Sequence, residues 1–388
     1  MRPAGMAWAE AAVAATEARW GSVVAAALLL PGAILQANAE TAPEQGVVEL
    51  KMLSYRDWQP GLDRIRVNSP AAYVMAPIGS RWSIEGTVVS DSVTGASPRY
   101  HTAVSGASRM SERRNAEDVA VTHYDERDAW SLGGAYSEEH DYTSRTLSGT
   151  YRWSTPDNNR TWNVGLGYSN DDVGSSDDPS VQGHRRTWQT TFGVTQAMSA
   201  LDLVQATLGA NFGRGDFDDP YKLPDIRPDV RNQFTTLLRW NHRFDAADGT
   251  LRSGWRYYSD TFGVRSDTFD VAWVQSFGDA VQLTPSLRYA TQRAAKFYYD
   301  PVYSTVLGAP FPPGFDGHHD ASADQRLSAF GAVTAGLRVD VKIAPLWTAD
   351  LSYERYEQRG DWRLGGHGSP GLAAFSAQWF QLGVARSF

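Results

Sequence analysis

Histidines and carboxylates are the residues of this chain whose types and spacing could bind a metal ion. Six of the eight histidines lie in or beside polar, loop-like segments, and the densest cluster runs from Asp316 through His318 and His319 to Asp320. A fifth candidate ligand, His140, stands among acidic residues. Imidazole with carboxylate is a ligand set that suits zinc, copper or nickel. The alternative is that these are ordinary solvated loop residues, because a sequence cannot show whether ligands converge on one ion.

Aspartates in polar segments offer a second kind of ion site, a divalent cation that bridges the phosphates of lipopolysaccharide. These aspartates are Asp171, Asp172, Asp177, Asp178, Asp216, Asp218 and Asp219. No other cofactor is predicted. Ser97 and His101 have no identifiable third group that would complete a catalytic triad. The chain has no cysteine, which excludes a thiolate nucleophile, a thiolate metal site and a disulfide. We predict that the protein is not an enzyme, because the function predicted below requires no chemistry.

The composition limits the class of partner and the number of domains. The chain has 388 residues and a net charge of -8, and it lacks the clustered basic face that binds nucleic acid. Aromatic residues make up 12% of the chain, too many for a disordered protein. A β-barrel of this length forms one domain, although soluble proteins of the same length usually have two or three.

Residues 1–39 are predicted to form a secretory signal peptide, and residues 40–388 the mature domain. Pro31 interrupts the apolar run 23–35, which is shorter than the about 20 residues that a membrane-spanning helix needs. Ala37 and Ala39 supply a small-x-small cleavage site. The alternatives are a true start at Met6 or a buried core helix. A signal peptide would export the protein beyond the inner membrane.

Apolar residues alternate with small or polar ones over most of the chain after residue 40. In one segment Trp162, Val164, Leu166 and Tyr168 alternate with asparagine, glycine and serine. Successive side chains of a β-strand point to opposite faces, so this segment has one apolar face. Such segments last about ten residues, which is the length with which a tilted strand crosses a bilayer.

These segments predict an all-β fold, a transmembrane antiparallel up-and-down β-barrel of about sixteen strands, with fourteen as the alternative. The predicted strands are 46–56, 70–76, 81–92, 115–124, 130–141, 143–154, 161–172, 185–198, 201–213, 231–244, 250–262, 268–277, 281–298, 325–342, 346–358 and 374–388. Short connectors alternate with long polar ones, which are 93–114, 173–183, 214–230, 300–324 and 360–371. Tight periplasmic turns and large outer loops are typical of barrels in the outer membrane of Gram-negative bacteria, and an even strand number puts both termini in the periplasm. The expected surroundings are the lipid bilayer and lipopolysaccharide.

Aromatic residues gather beside the predicted short connectors, where rings with a polar edge prefer the membrane interface. They are Trp82, Trp130, Trp153, Trp162, Trp347, Phe244 and Phe277. The chain ends on an alternating apolar strand that closes with Phe388, except that Arg386 occupies a position that is usually apolar. This end resembles the signal by which outer-membrane barrels are recognised, so the barrel assembly machinery is a predicted partner.

Four segments resemble a family of uncharacterised proteobacterial outer-membrane β-barrel proteins. They are 54–64 (SYRDWQPGLDR), 92–102 (SVTGASPRYHT), 105–110 (SGASRM) and 136–142 (YSEEHDY). The likeness covers essentially the whole mature chain and implies a single barrel domain with no assigned activity. It also implies two partners in the envelope, a small lipoprotein and a periplasmic redox protein linked to flavin transfer.

The strand faces opposite the aromatic ones are predicted to line the interior. They carry charges, and an arginine or lysine that faced lipid at mid-bilayer would cost about 2–4 kcal/mol. The predicted lumen wall is a basic row with acidic neighbours, formed by Arg239, Arg243, Arg252, Arg256, Arg288, Asp350 and Glu354. Opposed rows of charge would filter small solutes. The alternative is that these residues pair with one another and hold the wall together.

The predicted long connector 93–114 contains a near-repeat, VTGAS at 93–97 and VSGAS at 104–108. Small residues permit close packing. The segment is therefore expected either to fold inward as a constriction or to form an ordered cap on the barrel rim.

We predict a porin-like channel or a binding barrel for small polar solutes. One alternative is a non-conducting envelope scaffold for a periplasmic redox partner. Another is a surface module that binds transition metals through its loop histidines.

Overall fold

The computed structural model describes residues 41–98, 107–175, 178–222, 224–300, 312 and 314–388. Within them, sixteen antiparallel strands close into one barrel and two short strands form a separate sheet. The strands are β1 (Val47–Gln59), β2 (Leu62–Ile78), β3 (Trp82–Pro98), β4 (Ala107–Tyr124), β5 (Asp128–Glu138), β6 (Tyr142–Ser154), β7 (Arg160–Val173), β8 (Gly183–Ala197), β9 (Asp202–Gly215), β10 (Asp225–Ile226), β11 (Val230–Phe244), β12 (Gly249–Asp260), β13 (Arg265–Phe277), β14 (Val281–Arg293), β15 (Ala321–Ser322), β16 (Phe330–Ala344), β17 (Trp347–Arg359) and β18 (Phe375–Ser387). The separate sheet pairs β10 with β15.

The predicted all-β barrel and its sixteen strands are confirmed. The largest difference lies in β2, which was predicted at 70–76 and runs over Leu62–Ile78. The pairing of β1 with β2 shifts register between Arg56 and Trp58 and then continues to Gln59 opposite Leu62. A β-bulge interrupts the alternation of side chains, which explains why the predicted β1 stopped at 56 and the predicted β2 began only at 70.

The connectors divide between the two ends of the barrel. One end, here called the turn end, has only short connectors, which are 79–81, 125–127, 155–159, 198–201, 245–248, 278–280 and 345–346. Short connectors also occur at the other end, at 60–61, 139–141 and 261–264. The pairing of β1 with β18, which closes the barrel, reaches the turn end, where the Gly46 N–H donates to the Phe388 carbonyl (2.9 Å) and the Phe388 N–H donates to the Gly46 carbonyl (3.0 Å). The opposite end, called the loop end, carries the long connectors 174–182, 216–229, 294–329 and 360–374.

Large apolar side chains cover the outer surface of the barrel. Leu166, Trp188 and Leu382 are 59%, 60% and 53% exposed, although each belongs to a fully paired strand. Their sequence neighbours Gln189 and Gln381 are only 6% and 1% exposed. The apolar side chains therefore face outward, and their neighbours face the interior. Within the described residues, no helix is long and apolar enough to cross a bilayer.

Aromatic rings form a band on this outer surface near the turn end. The ring centroids of Trp82 and Trp130 are 5.3 Å apart, and those of Trp153 and Trp162 are 6.3 Å apart. The guanidinium of Arg386 lies 5.5 Å from the ring centroid of Trp347. This cation–π contact gives a physical reason for the charged residue in the otherwise apolar C-terminal pattern.

The expectation of a long loop over 93–114 is wrong for most of that segment. β3 continues to Pro98, β4 begins at Ala107, and these two residues are register partners. The segment therefore prolongs a β-hairpin, and its glycines and serines conceal the alternation that marks a strand. His101 lies outside the described residues, as does the predicted signal peptide of residues 1–39.

Candidate solute pathway

The inner face of the barrel differs from sector to sector, because each strand contributes every second residue to it. Strands β11, β12 and β14 form an arginine sector, which carries Arg239, Arg252, Arg256 and Arg288. Each of these arginines makes at least one polar, ring or electrostatic contact. Asp270 on β13 lies among them, since its Oδ1 is 2.7 Å from the place that a Cβ would occupy at Gly254.

Arg243, also predicted for the lumen wall, lies at the edge of the arginine sector. Its Nε is 3.1 Å from Asp245 and its Nη2 is 2.5 Å from Asp248, both in the connector 245–248. Arg243 therefore pairs with acidic residues of the turn end.

An acidic sector faces the arginines across the barrel. β3 and β12 are eight strands apart in the ring of sixteen, and so are β4 and β13. Glu85 on β3 and Asp118 on β4 alternate with the outward-facing Ile84 and Val119, which are 38% and 50% exposed. Glu85 is three residues from the turn-end start of its strand, as Arg252 is on β12. Opposite charges thus stand at similar heights on opposite walls.

The predicted acidic partners, Asp350 and Glu354, do not lie opposite the arginines. Both belong to β17, which stands only two places from β14 in the strand order. Asp350 is 3.4 Å from Arg338 on the neighbouring strand β16, and Arg338 is also 2.6 Å from Asp340. Asp350 therefore forms an ion pair within the wall. This is the alternative to a charge filter that the sequence left open. The alternation of the sequence could have identified Glu85 and Asp118 as inward-facing residues. It could not have shown which strands lie opposite them.

A neutral sector extends along the inner faces of β6–β9 and the adjoining half of β11. Between Arg152 near the turn end and the Asp171–Arg185 ion pair (2.8 Å) near the loop end, its inward positions on β6–β9 hold only neutral residues. A concavity opens on it. The inward-facing residues of its lining are Thr150, Gly165, Gly167, Gln189, Thr191, Gly209, Asn211, Gln233 and Thr235.

Glycine keeps the neutral sector open. A Cβ at Gly209 would lie 2.5 Å from the Thr235 hydroxyl, so the threonine occupies space that a larger residue at position 209 would fill. The wall consequently offers hydroxyl, amide and backbone groups with few bulky side chains. Such groups form hydrogen bonds with polar solutes without adding charge.

The inner faces of β1, β2 and β16–β18 are filled by side chains. Tyr55 and Trp379 are 3% and 1% exposed, and their rings stack with centroids 6.2 Å apart. The rest of this apolar cluster is Ile65, Val67, Phe330, Ala332, Tyr356, Phe375 and Ala377. The Lys51–Glu49 ion pair (2.9 Å) is buried on the same wall. The open part of the interior is therefore displaced towards the neutral sector.

Two long connectors fold inward over the loop end of the arginine sector. Phe217 from 216–229 lies against the inner wall, because its ring is 2.8 Å from the position of a Cβ at Gly213. Phe262 packs between Phe217 and Phe297, with centroid distances of 5.8 and 5.0 Å. The inward-facing Arg231 lies 4.7 Å from the ring centroid of Phe262. An inward constriction was one of the two readings of 93–114, and in the described residues these other segments fold inward.

A buried ionic cluster joins the two connectors. It contains three aspartates and three cations, which are Asp219, Asp225, Asp324, Lys222, Arg227 and Arg326. Asp324 is fully buried and lies 2.8 Å from both Lys222 and Arg227. Arg326 reaches Asp219 at 2.6 Å across a separation of 107 residues. The charges balance, which is the condition under which buried ions are tolerated.

The pKa values of the cluster follow from this packing. Burial by itself would raise the pKa of Asp219 and of Asp324, but the neighbouring Lys222 and Arg326 hold both pKa values below the usual range. Asp218 is outside the cluster, and burial together with Asp216 and Asp225 raises its pKa to about 6, although it accepts the Arg227 N–H. The stabilisation due to Asp219 and Asp324 is present above the usual aspartate pKa and is lost only in strong acid.

Asp218 should make the connector 216–229 sensitive to pH in the opposite direction. Because its pKa is higher in the folded loop than in an unfolded chain, its stabilisation is complete below the usual value and is lost as the pH rises through about 6. We expect amide hydrogen exchange in 216–229, corrected for intrinsic rates, to speed up between pH 5 and 7. Asp218→Asn cannot ionise and should abolish that change; an unchanged pH dependence in this variant would contradict the assignment.

The predicted metal ligands do not converge. His319 Nδ1 lies 2.6 Å from Asp316 Oδ2, and Asp316 also accepts the backbone N–H groups of His318 and His319. The described residues, which include His140 and Asp320, contain no group of three or more candidate ligands. The hydrogen bond to Asp316 also raises the pKa of His319, and a ligating imidazole must be neutral. The histidine cluster is therefore an exposed turn in this structure.

The closed barrel with an apolar outer surface is the fold of Gram-negative outer-membrane proteins. CdiB from Acinetobacter baumannii is similar with a TM-score of 0.51 and 7% identity, over 87% of this chain and 60% of that one. The siderophore receptor PirA from Pseudomonas aeruginosa has a TM-score of 0.44 and 9% identity, over 87% and 61% of the two chains. OccK2 (OpdF) from Pseudomonas aeruginosa, in complex with glucuronate, has a TM-score of 0.45 and 9% identity, over 89% and 98%. The chain thus spans about three fifths of PirA and of CdiB, and these likenesses concern the fold alone.

The chain belongs to the family described as "Protein of unknown function (DUF3570)", which matches residues 20–182 and 174–379. This match confirms the predicted membership of an uncharacterised family. No curated protein matches the sequence.

Proposed function

We propose that the protein is a porin-like channel for small polar solutes. The observation that carries the proposal is the placement of Arg252 and Arg256 across the barrel from Glu85 and Asp118. Charges on opposite walls produce a transverse field that orders and selects solutes. The neutral sector beside them provides uncharged hydrogen-bonding groups along an open concavity. Passage needs no catalytic group, so we propose no enzymatic activity.

The proposed orientation puts the turn end in the periplasm and the loop end outside the cell. Two features support it. Strand β1 begins and β18 ends at the turn end, where Gly46 pairs with Phe388, and the long connectors lie at the other end. Short periplasmic turns and long outer loops are the general arrangement of bacterial outer-membrane barrels. In this orientation the connectors 216–229 and 294–329 narrow the external mouth.

Removing charge from the arginine sector should change ion selectivity. We expect Arg252→Gln/Arg256→Gln to lower the anion-to-cation permeability ratio several-fold, because two fixed positive charges leave the lumen while Glu85 and Asp118 stay. The measurement is the reversal potential of single channels in a planar bilayer under a KCl gradient. The purified protein is refolded in detergent and must show the heat-modifiable migration of a closed barrel.

Arg265→Gln is the matched control, because Arg265 lies on the outward face of β13 and is exposed. Its reversal potential should equal that of the wild type. An unchanged reversal potential in the double variant would disprove the role of the arginine sector. A wild-type protein that neither conducts nor allows liposome swelling would disprove the channel and favour the scaffold.

A further inference from the structure

Two arginines face each other on the outer surface near the loop end. Arg186 on β8 and Arg214 on β9 are register partners, and both are exposed. Each lies two residues from an outward-facing aromatic residue, Trp188 and Phe212, which are 60% and 43% exposed. Directly opposite side chains on antiparallel strands have Cβ atoms about 4.5–5.5 Å apart, and like charges there are destabilising. A bound anion would remove this repulsion.

The nearby carboxylate on this surface already has partners. Asp172 on β7 is 2.9 Å from Arg145 and 2.8 Å from His184. In the part of the chain that the structure describes, neither Arg186 nor Arg214 has an acidic group within 4.0 Å. The pair is therefore a concentrated and uncompensated positive charge.

A row of aromatic side chains beside the two arginines indicates how deep the arginines lie in the membrane. Trp188 and Phe212 are themselves register partners. The row continues on both sides, with centroids 4.8 Å apart for Tyr168–Trp188 and 6.0 Å apart for Phe212–Phe234. Aromatic rings of this kind sit at the boundary between acyl chains and headgroups. Two strand residues span about 7 Å, so the two guanidinium groups reach the headgroup layer.

We propose that Arg186 and Arg214 bind a phosphate group on the sugar headgroup of lipopolysaccharide in the outer leaflet. Guanidinium forks bind phosphate oxygens in a bidentate manner, and a phosphate monoester carries about -1.5 to -2 charges. The acyl chains of the same lipid then lie against Trp188 and Phe212. The site rests on the proposed orientation, which puts the loop end in the outer leaflet, but not on conduction.

The test compares lipid retention by purified protein in detergent. Wild type and Arg186→Gln/Arg214→Gln are incubated with lipopolysaccharide, and the bound lipid is counted by native mass spectrometry. We expect retention to fall at least tenfold in the double variant. Arg186→Lys/Arg214→Lys keeps the positive charges but cannot make bidentate guanidinium contacts, so it should retain an intermediate amount of lipopolysaccharide. The control Arg81→Gln/Arg243→Gln removes two arginines that are paired with aspartates at the turn end and should retain as much as wild type.

Two further arms identify the source of the phosphate. Dephosphorylated lipopolysaccharide should bind wild type no better than it binds the double variant. Inorganic phosphate alone should neither raise the melting temperature of wild type nor displace the lipid. Equal retention of intact lipopolysaccharide by wild type and the double variant would overturn the proposal, as would equal retention of the dephosphorylated lipid by wild type. Displacement by inorganic phosphate would overturn the lipid assignment in favour of free phosphate. None of these results depends on channel activity, so the proposal and the channel can fail separately.

Discussion

Asp324→Ala will release the two inward-folded connectors while leaving the barrel closed. The substitution removes a fully buried carboxylate that contacts Lys222, Arg227 and Arg326. Breaking a buried ion cluster by removing one partner costs about 3–5 kcal/mol, because the remaining charges stay desolvated and unbalanced. Amide hydrogen exchange should therefore accelerate by two orders of magnitude or more in 216–229 and in the described parts of 294–329. Exchange in the strands of the barrel should be unchanged.

Asp320→Ala is the matched control for this result. Asp320 is an exposed aspartate four residues before Asp324 in the same connector. A surface substitution of this type changes stability by less than about 0.5 kcal/mol. Equal exchange rates in Asp324→Ala and Asp320→Ala would show that the cluster does not hold the connectors together.

Thr235→Trp should reduce single-channel conductance by half or more. Thr235 lines the concavity of the neutral sector and faces the interior from β11. An indole at this position would enter the concavity, and the opposite wall is already filled around Tyr55 and Trp379. The measurement is conductance in a planar bilayer at fixed salt concentration, together with the rate of liposome swelling with neutral sugars.

The adjacent residue provides the control for the tryptophan substitution. Thr236 has the same side chain but alternates with Thr235 and lies between the outward-facing Phe234 and Leu238, which are 46% and 43% exposed. Thr236→Trp adds the same ring to the lipid-facing surface and should leave conductance unchanged. If both variants conduct like wild type, the pathway does not pass the neutral sector.

The strands could be predicted because the alternation of apolar and polar residues that marks a barrel strand is a local pattern. Trp162, Val164 and Leu166 mark the outward face of β7 within a few residues. The same alternation along β12 places Arg252 on the inner face. A bulge or a run of glycine and serine hides the alternation beside Trp58 and after Val93. The predicted strands 281–298 and 325–342 were also wrong at one end, because the structure has β14 over Val281–Arg293 and β16 over Phe330–Ala344. Strand number and fold class were therefore accessible from sequence.

Contacts between distant segments were not accessible in the same way. No local pattern shows that β3 stands opposite β12, or that Arg326 reaches Asp219 across 107 residues. The histidine cluster shows the converse problem, because a composition that suits a metal also suits a turn held by Asp316. Composition identifies which groups are present, whereas convergence depends on the closed chain.

The ionic cluster balances its own charges, but the two connectors that carry it do not. Residues 216–229 contain five aspartates against one lysine and one arginine, and residues 294–329 contain four aspartates against one lysine and one arginine. In the proposed channel this excess of negative charge at the mouth would favour the long-range approach of cations over that of anions, by an amount that falls as salt screens it.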